Sequence, residues 1–228
     1  MTSVNTNVGA MVALRNLTLT NGALDQTQDR VSTGYKVIGP KDDASNFSIA
    51  QGLRGDLKAF DAVQQSLSSG RGVVATAIAG ATSISDLVAD IKKKIIEASN
   101  PANTASQQSI LSADFNSMIT QLNTFVSNAV YNGRNLISSG SGSVSITSTI
   151  TGGQLTINNA SGLGGVSTAL SGGVATTAGA LAMLTAITAQ ELVIGRALGS
   201  LGANSKDIEF LSTFTKTLSD AVTEGLGA

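Results

Sequence analysis

Apolar residues recur at steps of three and four from the start of the chain: Val4, Val8, Met11, Leu14, Leu17, Leu24 and Val31, with polar Asn21 and Gln28 filling the series. That rhythm predicts one helical stripe. A helix of about 30 residues is about 45 Å long, and the neighbouring sequence offers it no obvious surface to pack on. Gly34 follows Ser32-Thr33 and suits a left-handed C-terminal cap. Gly39-Pro40 then keeps the chain out of helix. Asp42 or Asp43 supplies an N-cap for the next helix. The adjacent aspartates make a poor catalytic pair, because neighbours in sequence do not converge on one substrate atom and no second polar cluster accompanies them. Residues 34–42 therefore read as a joint.

A second pattern is longer. Leu53, Leu57, Phe60, Gln64, Leu67, Arg71, Val74, Ile78, Ala81, Ile84, Val88, Ile91 and Ile95 predict one buried stripe over about 43–98, regular enough for bundle or coiled-coil packing. Gly70, Gly72 and Gly80 interrupt it and read as points of close packing or bending. Ser69-Gly70-Arg71-Gly72 lacks the Walker pattern and a preceding strand, so it is no phosphate loop. Asn100-Pro101 breaks the helix. A further one runs from about Ala105 to Val130 on Ile110 or Leu111, Phe115, Met118 or Ile119, Leu122, Phe125 or Val126, and Ala129. The short loop between them predicts an antiparallel pair.

From Ser138 to Gly173 the texture changes to Gly, Ser and Thr with a period of two. Val144, Ile146 and Ile150 alternate with polar residues, Gly152-Gly153 suits a two-residue turn, and Leu155 and Ile157 continue the return strand. A small hairpin inserted into a helical protein is expected, with a flexible linker as the competing reading. Helix returns over about 178–224 on Leu181, Leu184, Ile187, Ile194, Leu198, Leu201, Ile208, Leu211, Leu218 and Val222, with Phe210 and Phe214 nearby. The expected fold is mainly α: a long antiparallel bundle in which 43–137 packs with 178–228, with 1–33 as a separate helix, 34–42 as a linker and 138–177 as the hairpin region.

Composition narrows the function. The 228 residues include no His, Cys or Trp, which removes histidine acid–base chemistry, thiol nucleophiles, Cys/His zinc sites and disulfides. A chain that crosses membranes unfolded would avoid stray disulfides in this way. Net charge is −1, so no electrostatic case exists for nucleic acid, and Lys92-Lys93-Lys94 reads as a solvated face. Only 13% of residues are charged, against about 25% in ordinary soluble domains. A surface with so few charges resists self-association poorly. No cofactor or metal site is expected, nor an enzymatic activity. No cleaved signal precedes the short apolar run Val8–Leu14, and no membrane span is expected.

With these elements in place the chain resembles bacterial flagellin, the subunit of the flagellar filament. The resemblance rests on Asn5-Thr6-Asn7, Val31-Ser32-Thr33-Gly34, Lys41-Asp42-Asp43-Ala44 with Ile49-Ala50, and Tyr131-Asn132-Gly133-Arg134-Asn135-Leu136, all in the family's order. Asn204, Ile208 and Glu209 match a further family stretch. It implies an exported, extracellular subunit that assembles with its own copies and other flagellins, served by the type III export apparatus, a filament cap and an export chaperone. It implies that 1–33 lines the filament core and is largely disordered in the monomer, and that sugar is attached to some Ser or Thr within 138–177. The family's further C-terminal helix has no counterpart before Ala228, and the insert is short. Asp90-Ile91-Lys92-Lys93-Lys94-Ile95 stands where flagellins detected by the vertebrate innate receptor carry an Arg-rich turn, which implies weak or no receptor activation. Hook–filament junction proteins share this terminal architecture, and a secreted adhesin with flagellin-like helices is the other alternative.

Overall fold

The structure, a computed structural model, describes residues 7–227. Five helices and one hairpin follow in order: α1 (Val8–Thr33), α2 (Ala44–Ala98), α3 (Ala105–Asn128), strands β1 (Val144–Thr147) and β2 (Gln154–Ile157), a 3₁₀ turn (Ser161–Gly165), α4 (Val166–Ala169) and α5 (Thr177–Gly227). Two compact units divide these elements. One holds the described residues up to Asp61 with those from Lys216 onward; the other is Ala62–Thr215.

The larger unit is an antiparallel bundle of α2, α3 and α5. Direction is read from side-chain pairs. Gln64 on α2 donates to the Ser212 carbonyl on α5 at 2.6 Å and accepts from the Ser212 hydroxyl at 2.9 Å, while Lys92, in the last turns of α2, meets Glu191 in the first third of α5 at 2.8 Å. α3 runs back along α2, its start marked by a reciprocal cap. Thr104 Oγ1 accepts from the Gln107 amide, and Gln107 Oε1 accepts from the Thr104 amide.

The core joins Leu67, Val74, Ile84, Ile91 and Ile95 of α2 to Phe115 and Leu122 of α3 and to Ile187, Ile194, Leu201 and Ile208 of α5, all buried. Each such side chain contributes about 1.5–3 kcal/mol relative to an exposed one. Four positions of the expected stripes on α2, α3 and α5 are exposed instead: Arg71, Ile110, Leu181 and Leu218. Arg71 is exposed because the hairpin descends on the neighbouring position: a Cβ on Gly70 would stand 2.5 Å from Ile146 Cδ1, so the buried line passes through Leu67, Gly70 and Val74. Of the alternatives on α3, Leu111 packs against the core and Ile110 is exposed. Leu181 is exposed, the buried line of α5 beginning at Ala180.

The lysine run is more than a solvated face. Lys92 pairs with Glu191 across to α5, and Lys94 reaches Glu97 at 3.1 Å and Asp114 of α3 at 3.5 Å. Its pKa is raised, first by the Glu97 hydrogen bond, with Asp114 adding to it.

Residues 138–177 form a hairpin and then more. β1 and β2 pair antiparallel, Val144 opposite Ile157 and Thr147 opposite Gln154. The connection is Ser148–Gly153, longer than the expected two-residue turn, and Ile150 sits exposed within it rather than on the strand. Thr149 explains the extra length: its hydroxyl accepts from the Gly153 amide at 2.7 Å and closes a wider loop. Beyond β2, Leu163, Val166, Leu170 and Val174 are fully buried. The segment is bonded to the bundle by Thr147 N to Ser66 Oγ, Asn204 Nδ2 to the Asn158 carbonyl, and Gln108 Nε2 to the Val174 carbonyl. It is part of the core.

By length and composition α2 and α5 are each apolar enough to cross a membrane, which the expectation of no spanning stretch had not allowed for. Much of that apolar character is buried in the bundle on α2, whereas α5 leaves Leu181, Leu192, Phe210 and Phe214 exposed.

Candidate self-assembly surface and helix joint

α1 begins at Asn7, whose Oδ1 accepts from the Ala10 amide at 3.1 Å, and ends at Gly34 with φ +70°, whose amide donates to the Arg30 carbonyl at 2.9 Å. A residue with a Cβ is strained at that φ, so glycine suits the cap. No residue of α1 is buried. Val8 is 71% exposed and Val31 80%, and Met11, Leu14, Leu17 and Leu24 are all more than half exposed. Val4 lies outside the described residues.

Two further apolar residues, Val12 and Leu19, are also open, and they change the shape of the surface. At about 100° per residue, Val8, Val12 and Leu19 fall within about 40° of one another, whereas Leu17, Leu24 and Val31 cluster about 140–180° away. Met11 and Leu14 bridge the two groups, about 60° and 120° from Val8, so the expected single stripe is a broad apolar band that wraps more than half-way round the helix. The three steps of three from Val8 to Leu17 each turn the row back by about 60° and carry it to the far side, whereas the steps of seven from Leu17 to Val31 drift by only about 20° each. A helix apolar on opposite sides is one that is buried from more than one direction.

The joint that follows divides the work of its two aspartates. Asp42 Oδ1 accepts from Gln26 Nε2 of α1 at 3.0 Å, and its Oδ2 accepts from the Ile38 amide at 3.3 Å. The Asp42 amide donates to the Gly39 carbonyl at 3.1 Å, closing the turn that contains Pro40. Asp43 caps α2: its Oδ1 accepts from the amides of Ser45 and Asn46, both at 3.0 Å, and Oδ2 accepts from Asn46 Nδ2 at 2.6 Å. The Asn46 backbone and side-chain bonds hold the Asp43 carboxyl below its ordinary pKa. Arg54 stacks over the Tyr35 ring at 4.3 Å from its centroid. With Arg30, Lys36 and Ile49 they border a cleft of about 370 Å³. Both carboxylates are occupied in holding backbone, so the segment presents no acid–base pair. Among the described residues no group of three or more His, Cys, Asp or Glu is placed to hold a metal ion.

One structural motif was not read from the residues alone. Asn132 at φ +47° and Gly133 at φ +74° form a tight reversal closed by reciprocal 2.9 Å bonds between Tyr131 and Arg134. Asn-Gly is the strongest short-range signal for that turn. Beside it, Asn135 donates from Nδ2 to the Val126 carbonyl and accepts at Oδ1 from the Ile137 and Ser138 amides.

Residues 4–142 match the bacterial flagellin N-terminal helical region. The chain is similar to flagellin FljN of Caulobacter vibrioides, 34% identical over 234 residues that cover all of this chain and 84% of the relative. Its fold is similar to a crystal structure of Bacillus cereus flagellin, with TM-score 0.59 and 14% identity over 66% of this chain and 88% of that one. A putative flagellar hook-associated protein from Vibrio parahaemolyticus gives TM-score 0.69 and 14% identity over 83% of this chain and 99% of that one. At such identity the two structures speak for the fold alone; the family match and the full-length relative decide between them. The chain belongs to the bacterial flagellin family, and is a structural, non-enzymatic subunit of the extracellular flagellar filament.

Proposed function

We propose that this subunit is exported unfolded through the flagellar type III apparatus with a chaperone, and that it folds beneath the filament cap for swimming motility. The helix at 8–33, with Val4 preceding it, becomes firmly ordered only when neighbouring copies bury it. The observation that carries this reading is the exposure of every residue of α1, with apolar side chains on opposite faces. A single chain leaves those faces in water, whereas a helix packed among several neighbours covers both. Gly34, Gly39, Pro40, Asp42 and Asp43 then serve as a joint of defined geometry, the spoke between an inner layer and the bundle. The subunit is of a short-insert type, and sugar is carried on exposed Ser or Thr within 138–177; Ser167 is excluded by its burial. Receptor activation is weak, since Lys92 and Lys94 are occupied by Glu191, Glu97 and Asp114.

Seeded polymerisation tests the inner-layer role. Leu17→Asp and Leu24→Asp variants are expected to keep the bundle's thermal transition and to lose filament extension. Extension at the parental rate would overturn the role. Antibody labelling of native filaments along their whole length is expected, whereas labelling confined to the base of the filament would favour a junction role.

A further inference from the structure

The α2–α3–α5 unit leaves two apolar features open at different levels. The first is a ridge on α5: Phe210 is 72% exposed and Phe214 60%, and residues four apart on a helix share a face. They are two of the six phenylalanines in the chain. The second is a groove of about 630 Å³ where α2 ends and α3 begins, floored by Ile96, Ile110 and Leu111 and rimmed by Asn100, Asn103 and Gln107. Ile96 and Ile110 are each more than half exposed. The acid on the rim, Glu97, is held by Lys94 at 3.1 Å, so the groove presents apolar surface and neutral amides.

Their positions within the unit are fixed by side-chain bonds. The hydrogen bonds between Ser212 and Gln64 place the ridge at the level of Gln64 on α2. The groove begins at Ile96, about 48 Å farther along the same helix at about 1.5 Å per residue. Ridge and groove of one chain therefore do not meet. Contact between two unlike patches on separate copies is heterologous, and where its rotation does not close into a ring its repetition generates an open helical assembly, the form in which a flagellar filament subunit works. Aromatic side chains entering an apolar recess are also the residue type that dominates interface energetics.

We propose that Phe210 and Phe214 of one copy seat in the Ile96–Ile110 groove of the next, stacking subunits head to tail with a displacement of about 48 Å along α2. The occupant is a second copy of this chain. The proposal rests on the assembly reading above and adds to it the two surfaces that one axial contact uses.

Because the chain has no cysteine, a Phe214→Cys, Ile110→Cys double variant tests adjacency directly. Filaments grown from it on seeds and oxidised are expected to give a ladder of covalent oligomers on denaturing gels. Each single variant is expected to give none beyond dimer. Intact filaments of the double variant that yield only monomer would overturn the contact while leaving assembly standing. Failure of the unsubstituted chain to extend seeds would overturn assembly and the contact together. If the cysteine pair itself blocks growth, the decisive quantity is the critical concentration of Phe214→Ala, Ile110→Ala and their combination. Phe214→Ala is expected to raise it roughly tenfold, the scale of an interface hot spot. A combined effect clearly smaller than the product of the two single effects supports the contact, and a simple product overturns it.

Discussion

At the residue scale, the helical glycines separate into two groups that the sequence does not distinguish. A Cβ on Gly80 would stand 2.8 Å from Ala129 Cβ, and Ala129 has no flexible side chain to withdraw, so α2 or the end of α3 would have to move. Gly199 on α5 has nothing within 4 Å. Replacing glycine in a helix interior gains about 1 kcal/mol of intrinsic propensity, while overpacking costs about 1–3 kcal/mol. Gly80→Val is therefore expected to destabilise the bundle by about 2 kcal/mol, and Gly199→Ala to stabilise the free subunit by about 0.5–1 kcal/mol. Urea midpoints at constant m check both. The close-packing reading of Gly70, Gly72 and Gly80 was available from their place on a buried stripe, but the partners were not. Ile146, Tyr131 and Ala129 lie far along the chain, and only the folded topology brings them to those positions. Asp43 supports a prediction in pH. Its folded pKa is lowered by the Asn46 bonds, so the cap's contribution is fully present above the ordinary carboxylate value and is lost as pH falls through the lower folded one. Below about pH 4, residues at the start of α2 are expected to show lower amide protection factors, that is, exchange corrected for its intrinsic pH dependence, in the parent chain. The Asp43→Ala chain should be nearly flat over the same range; equal pH dependence in both would rule the cap out.

At the element scale, the long helices were legible because their apolar period persists over many turns, and α2 and α3 fall within a residue or two of the expected bounds. What escaped was the segment after the hairpin. Leu163, Val166, Leu170 and Val174 do keep a three–four rhythm, but it runs through Gly162, Gly164, Gly165, Gly172 and Gly173 and forms only a single 3₁₀ turn and one turn of α4. Such a segment has no autonomous helical signal; it is ordered by burial against the bundle. Gln108 shows how. Its buried amide nitrogen donates to the Ala98 carbonyl at 3.0 Å and to the Val174 carbonyl at 2.6 Å, tying the end of α2 to the approach to α5. Polar residues on a helix face are ordinarily read as solvent-facing, so its sequence position gave no warning. Gln108→Ala leaves two buried carbonyls without that donor and is expected to cost about 1–3 kcal/mol. By contrast Lys92→Ala, at a pair roughly one-third exposed on both sides, is expected to cost about 0.2–1 kcal/mol and less in high salt. Chemical denaturation of the two variants at low and high ionic strength separates these cases: the Gln108 effect should not respond to salt.

At the scale of the whole molecule, burial is distributed very unevenly. Apart from Phe60, every buried apolar side chain among the described residues belongs to the unit Ala62–Thr215. Both ends of the described chain, α1 and the last turns of α5, depend on helical hydrogen bonds with little apolar area behind them. Isolated helices in water are marginal without a packed face, and opening free energies follow such differences in burial. Limited proteolysis of the free subunit is therefore expected to remove residues up to about Asp61 and from about Lys216 onward, leaving a resistant fragment close to 62–215. The same digestion on assembled filaments is expected to spare those segments, because neighbouring copies supply the area that one chain lacks. Mass spectrometry of the time course reads both states. Equal protection of residues 8–33 before and after assembly would mean that α1 finds its partners within a single chain, and that its apolar faces are not the surface on which copies meet.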